Sequence, residues 1–223
     1  MRGARPNFRF LLLAALAVGF SFTFASAALD IAGPVLLAWK GGGVALLAVY
    51  AAMRGRDLDG WLLTAVMALG ALGDVLIDTL GATAGGGAFL VGHAVAIILY
   101  GRNLRRPGLG RWEWGVCLAL PLGALAIALL GVPSQAFSGG VALYVLGVSA
   151  MAALAFVSRF RRDRVALGAV MFLVSDLLIV THLAPAHEPR AVSVAIWLLY
   201  FGGQTLITLG VTAAREDRAS PTV

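Results

Sequence analysis

The sequence predicts an all-α protein: a polytopic bundle of eight transmembrane helices in one domain, with both termini cytoplasmic. Three observations carry this expectation. The 223 residues are 60% hydrophobic and only 13% charged, with a mean hydropathy of +0.91. A soluble domain has about 45–50% apolar and about 25% charged residues. The apolar residues gather into eight segments, most close to the ~20 residues needed to cross ~30 Å of hydrocarbon. The basic residues lie between these segments and on alternate loops.

The segments are 9–29, 34–53, 61–80, 87–101, 114–131, 139–158, 165–183 and 191–212. Span one follows Arg2, Arg5 and Arg9. Its basic start and its Ala25-Ser26-Ala27 also fit a signal peptide, but the apolar run is long for an h-region of about 7–15 residues. A retained first helix is expected. Span two is followed by Arg54 and Arg56, and span three carries two aspartates. Span four is the shortest, and the Gly-rich stretch before it offers an extension; Arg102, Arg105, Arg106 and Arg111 follow it. Span five holds the single cysteine, Cys117, which excludes an intrachain disulfide. Span six precedes Arg159, Arg161, Arg162 and Arg164, and span eight precedes Arg215 and Arg218. Residues 213–223 read as a short solvated cytoplasmic tail.

Fifteen of the 17 basic residues thus fall on one side; Arg190 and Lys40 are the exceptions. A different span count would scramble this alternation. The net charge of +6 is therefore topological, and no basic run interleaved with aromatics points to nucleic acid. The partners expected are the membrane and a ligand within it. Arginine outnumbers lysine sixteen to one, which suits a GC-rich genome and a bacterial inner membrane.

Ionisable side chains inside apolar spans cost at least ~2.5–3.5 kcal/mol each on insertion scales, so their placement is the main clue to function. They are Lys40, Asp74, Asp78, His93 and Asp176. Counted along each helix at 1.5 Å per residue, they lie roughly 3–11 Å below the outer interface. Tyr200 and Gln204 on span eight lie nearer the middle and share a helical face. Plainer readings exist. Lys40 snorkels or pairs with Asp176; Asp78 caps a helix end; His93 is a packing histidine; Tyr200 and Gln204 join helices. Asp74 and Asp176 resist such readings, being deep, short and preceded by the small residues Gly73 and Ser175.

Two buried carboxyl groups near one another divide into one acid and one base, the arrangement that hydrolyses acid-labile C–O bonds. No G-x-S-x-G or H-E-x-x-H pattern is present, so serine-hydrolase and zincin readings have no support. Asp74, Asp78, His93 and Asp176 form a feasible ligand set for a divalent ion. With one intramembrane histidine that signal is weak, and no metal or cofactor is expected. His182 and His187 join such a site only if their loop folds inward.

Gly73-Asp74, then Gly87-Ala88-Phe89-Leu90-Val91-Gly92-His93, resemble the YhhN-like family, which includes the lysoplasmalogenases. Phe172-Leu173-Val174-Ser175-Asp176, Tyr200, Gln204 and Lys40 extend the likeness, which runs from about residue 36 to 212. It departs at Gly41, where the family often has proline, and at Ala96, where an aromatic is common. The resemblance implies an eight-helix integral membrane hydrolase of the vinyl-ether bond of lysoplasmalogens. A lysophospholipid in the bilayer would be the substrate. Asp74 and Asp176 would be catalytic, with Lys40, Asp78, His93, Tyr200 and Gln204 binding substrate. A proton-coupled transporter or lipid-translocating protein, with Asp and His as relay, is the alternative. A non-catalytic assembly protein ranks third.

Overall fold

The computed structural model describes residues 8–28, 33–105, 108–182 and 190–219, the side chains of 25–28 and 219 excepted. Eight α-helices run in order: α1 (Arg9–Ala28), α2 (Pro34–Arg54), α3 (Leu58–Leu80), α4 (Ala82–Gly101), α5 (Arg111–Gly131), α6 (Gly139–Val157), α7 (Leu167–Thr181) and α8 (Arg190–Ala219). No strand occurs among the described residues. Among the described residues, seven helices are long and apolar enough to cross a membrane, while Arg9–Phe24 of α1 is a shorter apolar helix.

Local chemistry sets the helix ends. Pro34 opens α2, where its missing N–H costs no hydrogen bond. The Asp57 carboxylate accepts from Gly60 N–H at 2.9 Å and caps α3, and Ser138 caps α6 through Val141 N–H. Gly81 alone separates α3 from α4, at φ +88°, a left-handed conformation that favours glycine. The Gly-rich stretch 84–87 is therefore helical, and α4 starts five residues before the expected span. A single π-helical turn, Arg162–Ala166, leads into α7.

The helices close a ring. Each neighbour packs on the next in the order α1, α2, α3, α4, α6, α7, α8 and back to α1. α8 also reaches α2 and α3, so it fills the ring, whereas α5 lies outside against α6 and α7. Leu118, Leu122, Ile127, Leu129 and Leu130 of α5 are exposed, as suits a face toward lipid. Small residues permit the closest crossings. A Cβ at Gly168 of α7 would stand 2.6 Å from the Gly203 carbonyl of α8, and the converse holds for Gly203. Two indoles fix α1: Trp197 donates to Gly19 O at 2.7 Å and Trp39 to Val18 O at 3.1 Å.

One expectation is corrected. Residues 213–219 are not a solvated tail; they continue α8. Arg215 is buried, donates to Asp57 at 2.7 Å and to the Arg54 carbonyl, and Glu216 pairs with Arg54. These ion pairs hold the last helical turns over the ends of α2 and α3. The arginine grouping read from the sequence is present: Arg54, Arg102, Arg105, Arg159, Arg162, Arg215 and Arg218 all lie where α2, α4, α6 and α8 end and α3, α5 and α7 begin. Arg2, Arg5, Arg106 and His187 lie outside the described residues.

Candidate active site

The buried polar groups of the opposite half form two clusters, each built on one aspartate. Asp74 projects from α3 and is 4% exposed. The Tyr200 hydroxyl of α8 donates to its Oδ2 at 2.9 Å. Glycine makes this contact possible. A Cβ at Gly70, one turn before Asp74, would fall 2.7 Å from Gln204 Nε2 and 3.3 Å from the Tyr200 hydroxyl. A Cβ at Gly73 would meet the Phe89 ring at 2.8 Å. The glycines thus let the polar face of α8 and the aromatic face of α4 lie directly on α3. Tyr200 and Gln204 share that face because they are four residues apart on one helix.

Asp176 projects from α7 and is equally buried. The Tyr144 hydroxyl of α6 donates to its Oδ2 at 2.7 Å. His93 Nε2 of α4 stands 3.5 Å from the same oxygen, too long for a well-formed hydrogen bond. The neighbouring Ser175 donates to Ile196 O at 3.0 Å and so ties α7 to α8. The two clusters are joined by aromatic rings packed edge to face. Phe172 lies 5.1 Å from Tyr200 and 5.1 Å from His93, and Phe89 lies 5.8 Å from Tyr200.

Two atoms in this region have no hydrogen-bond partner among the described residues: His93 Nε2 and Gln204 Oε1. Buried polar atoms are satisfied in the great majority of cases, so each orphan calls for an explanation. One belongs to each cluster.

The residues singled out from the sequence separate into three groups. Tyr200 reaches Asp74, Gln204 lies beside Tyr200 against Gly70, and His93 stands next to Asp176. Lys40 and Asp78 pair with each other, at 2.8 and 2.9 Å from Nζ to the two carboxylate oxygens. They sit one helical turn beyond Asp74, with Asp78 exposed and Lys40 partly so. The pairing of Lys40 with Asp176 is therefore not found. No hydrogen bond joins Asp74 to Asp176, so the two carboxyl groups do not share a proton directly. Among the described residues, no three His, Cys, Asp or Glu side chains converge to hold a metal ion. His182 instead contacts the Leu178 carbonyl at 2.9 Å, at the end of its own helix.

Tyr144 was missed by sequence reasoning, as were the positions of Phe89 and Phe172 between the clusters. A tyrosine in an apolar span looks like packing. The available signal was depth, because Tyr144 lies as near the start of α6 as Asp176 lies to the end of α7.

The arrangement presents two buried carboxyl groups, each oriented by a phenol, within a wall of aromatic rings. Such a site suits a substrate with an apolar chain and a reactive bond that needs a proton. No curated protein and no solved structure matches the chain. A model of the YhhN family matches residues 35–211, which run from the start of α2 through nearly all the described helices. The chain belongs to the YhhN family, the family that includes the lysoplasmalogenases.

Proposed function

We propose that this protein is a membrane-embedded hydrolase that cleaves the vinyl-ether bond of lysoplasmalogen-type lysophospholipids. The observation that carries the reading is the paired cluster: two buried aspartates, each bound by a tyrosine hydroxyl, each beside a polar atom without a protein partner. Asp74 and Asp176 are the catalytic pair in this reading. Family membership supports it.

The chemistry suits these groups. One aspartic acid gives its proton to the alkene carbon remote from oxygen, and the π electrons form the new C–H bond. An oxocarbenium ion results. The second aspartate, ionised, stabilises that cation and takes a proton from the water that adds to carbon. In the hemiacetal the C–O bond to the glycerol breaks. The hydroxyl proton returns to the first aspartate, and the second protonates the departing oxygen. The products are a fatty aldehyde and a glycerophospho-headgroup, and both aspartates are restored. His93 Nε2 and Gln204 Oε1 are free to hold the water and the hydroxyl that arise. The exposed Lys40–Asp78 pair lies where a phosphate headgroup would rest.

The same reading sets the bundle with eight spans in a bacterial inner membrane, arginine-rich end and both termini on the cytoplasmic side. The substrate then enters from the outer leaflet. The test is incubation of purified protein with lysoplasmenyl-ethanolamine and assay of fatty aldehyde, beside Asp74→Asn and Asp176→Asn. Aldehyde from the wild type alone is expected. Full turnover by well-folded Asp variants sinks the mechanism.

One observation favours a second reading, a proton-coupled transporter or lipid translocator. The two clusters draw buried carboxyl, phenol and imidazole groups from α3, α4, α6, α7 and α8, the kinds of intramembrane group that serve in proton relays. Solute movement in reconstituted vesicles, with no product from a lysolipid in detergent, would select it.

A further inference from the structure

The arginine-rich end carries a further polar cluster that the proposed chemistry does not use. Its centre is Asp59, in the first turn of α3, with a side chain 12% exposed. Three guanidinium groups converge on this one carboxylate from three other helix ends. Arg102, after α4, places Nε at 3.5 Å from it; Arg218, near the end of α8, places Nη2 at 3.4 Å; Arg159, after α6, places Nη2 at 3.9 Å. Asn103 is buried beneath them. Its amide donates to Asp59 at 3.0 Å, and its oxygen accepts from Arg159 Nε at 2.7 Å and from Arg218 Nη1 at 3.3 Å. The backbone holds the set in place: Arg159 N–H donates to Asn103 O at 2.7 Å, and Arg105 N–H to Val157 O at 3.2 Å.

The other acids of this end have partners of their own, although Asp57 also acts on Arg218, and Asp217 on Arg161. Arg215 takes Asp57, Arg54 takes Glu216, Arg161 takes Asp163 and Arg162 takes Glu113. Asp59 is thus the one acid, among the described residues, in ion-pair contact with all three arginines. Two positive charges remain in excess. The contacts to Asp59 are long for charge-assisted hydrogen bonds, which lie at about 2.7–2.9 Å. Each guanidinium has five N–H donors, and few are used here. Arg102 and Arg159 are about half exposed, with side-chain values of 49% and 46%, and Arg218 is at 35%. The apolar side chains beside them, Leu58 and Leu104, are exposed as well.

We propose that Arg102, Arg159 and Arg218 form a binding site for the phosphate of an anionic phospholipid in the leaflet at this end of the bundle. Asp59 and Asn103 position the three arginines so that their spare donors face outward. The phosphate supplies the missing negative charge, and planar guanidinium forks match its oxygens. The acyl chains lie against the apolar helix surface that leads away from Leu58 and Leu104. Basic pockets between helix ends recognise acidic headgroups in this way. The site is separate from the two aspartate clusters and does not depend on what they catalyse.

The test uses the full chain in a nonionic detergent, titrated with dioleoyl-phosphatidylglycerol and followed by native mass spectrometry. Dioleoyl-phosphatidylcholine and inorganic phosphate serve as separate arms. Expected is retention of phosphatidylglycerol at least tenfold tighter than phosphatidylcholine, with no competition from millimolar phosphate. Arg102→Gln leaves Asp59 with Asn103, Arg159 and Arg218, so it folds, and it weakens phosphatidylglycerol about fivefold. The triple variant with Arg102→Gln, Arg159→Gln and Arg218→Gln weakens it about 100-fold. Equal retention of phosphatidylglycerol by wild type and Arg102→Gln overturns the proposal, as does failure to discriminate the two lipids. Displacement by inorganic phosphate also overturns it and replaces the lipid with a soluble anion.

Discussion

At the arginine-rich end of the bundle, carboxylates meet guanidinium groups across loops, partly exposed, in ion pairs. In the opposite half, Asp74 and Asp176 meet tyrosine hydroxyls in nearly full burial. The first arrangement fastens helix ends and leaves guanidinium charge in excess around Asp59. The second leaves each carboxyl group with one neutral donor and an orphan polar atom nearby. The ion-paired end therefore reads as structure with an outward-facing anion site, and the tyrosine-bound half as chemistry.

The sharpest way to break this contrast is to neutralise either acid of the tyrosine-bound half. Asp74→Asn or Asp176→Asn lowers aldehyde release about 1,000-fold, while thermal unfolding in detergent shifts little. A comparable loss of folded protein would mean that the aspartates are structural. Next comes the glycine crossing that brings α8 onto α7. Gly168→Leu drives a side chain into the Gly203 carbonyl and costs about 3 kcal/mol or more of stability. Turnover falls with folded fraction, and a variant of normal stability would show that the crossing is loose.

Arg215→Met tests the other region. It removes a buried guanidinium from Asp57 and from the Arg54 carbonyl and costs about 2 kcal/mol. Turnover per folded molecule stays within about twofold, since none of the ion pairs at this end involves Asp74 or Asp176. A selective loss of turnover would join the two regions. Tyr144→Phe and Tyr200→Phe come next. Each removes one hydrogen bond to a carboxylate of the proposed catalytic pair and, on that proposal, lowers kcat about tenfold, with KM little changed. A change confined to KM would place the phenols in substrate binding instead.

The smallest effect is a pH dependence. Burial pushes the Asp57 carboxyl up, but the Gly60 N–H and the Arg215 guanidinium outweigh it and hold the group below its ordinary value of 3.8. A depressed carboxyl stabilises the fold above its unfolded value, and that contribution is lost as the pH falls through the folded one. Hydrogen exchange in the last turns of α8 therefore quickens below about pH 4. Asp57→Asn should abolish this step, and its persistence in the variant would assign it elsewhere.

Much of the fold was legible because lipid imposes simple rules on a sequence. Apolar length marks helices, and arginine placement marks the end at which they finish. The segments read at 34–53, 61–80 and 139–158 match α2, α3 and α6 to within three residues. The Gly-rich start of α4 was ambiguous, because glycine weakens a helix locally while letting it pack closely. The last turns of α8 were read as tail because their charges looked solvated; their partners lie on other loops, far away in sequence. The acids of the site were legible for a related reason, since a short carboxylate inside an apolar span has no cheap structural explanation.

The sequence by itself determined the helical class, the grouping of arginines at one end, and Asp74, Asp176, His93, Tyr200 and Gln204 as residues to watch. Only the tertiary structure decided their partners. It gave Tyr200 to Asp74 and Tyr144 to Asp176, turned Lys40 toward Asp78, set Phe89 and Phe172 between the clusters, and drew three arginines onto Asp59. The physical reason is one of range. Cost in lipid and helical period act on single residues and single segments, so one chain read in order displays them. A hydrogen bond depends on which helices stand side by side, and that is settled by glycine contacts and ring packing between separate segments of the chain.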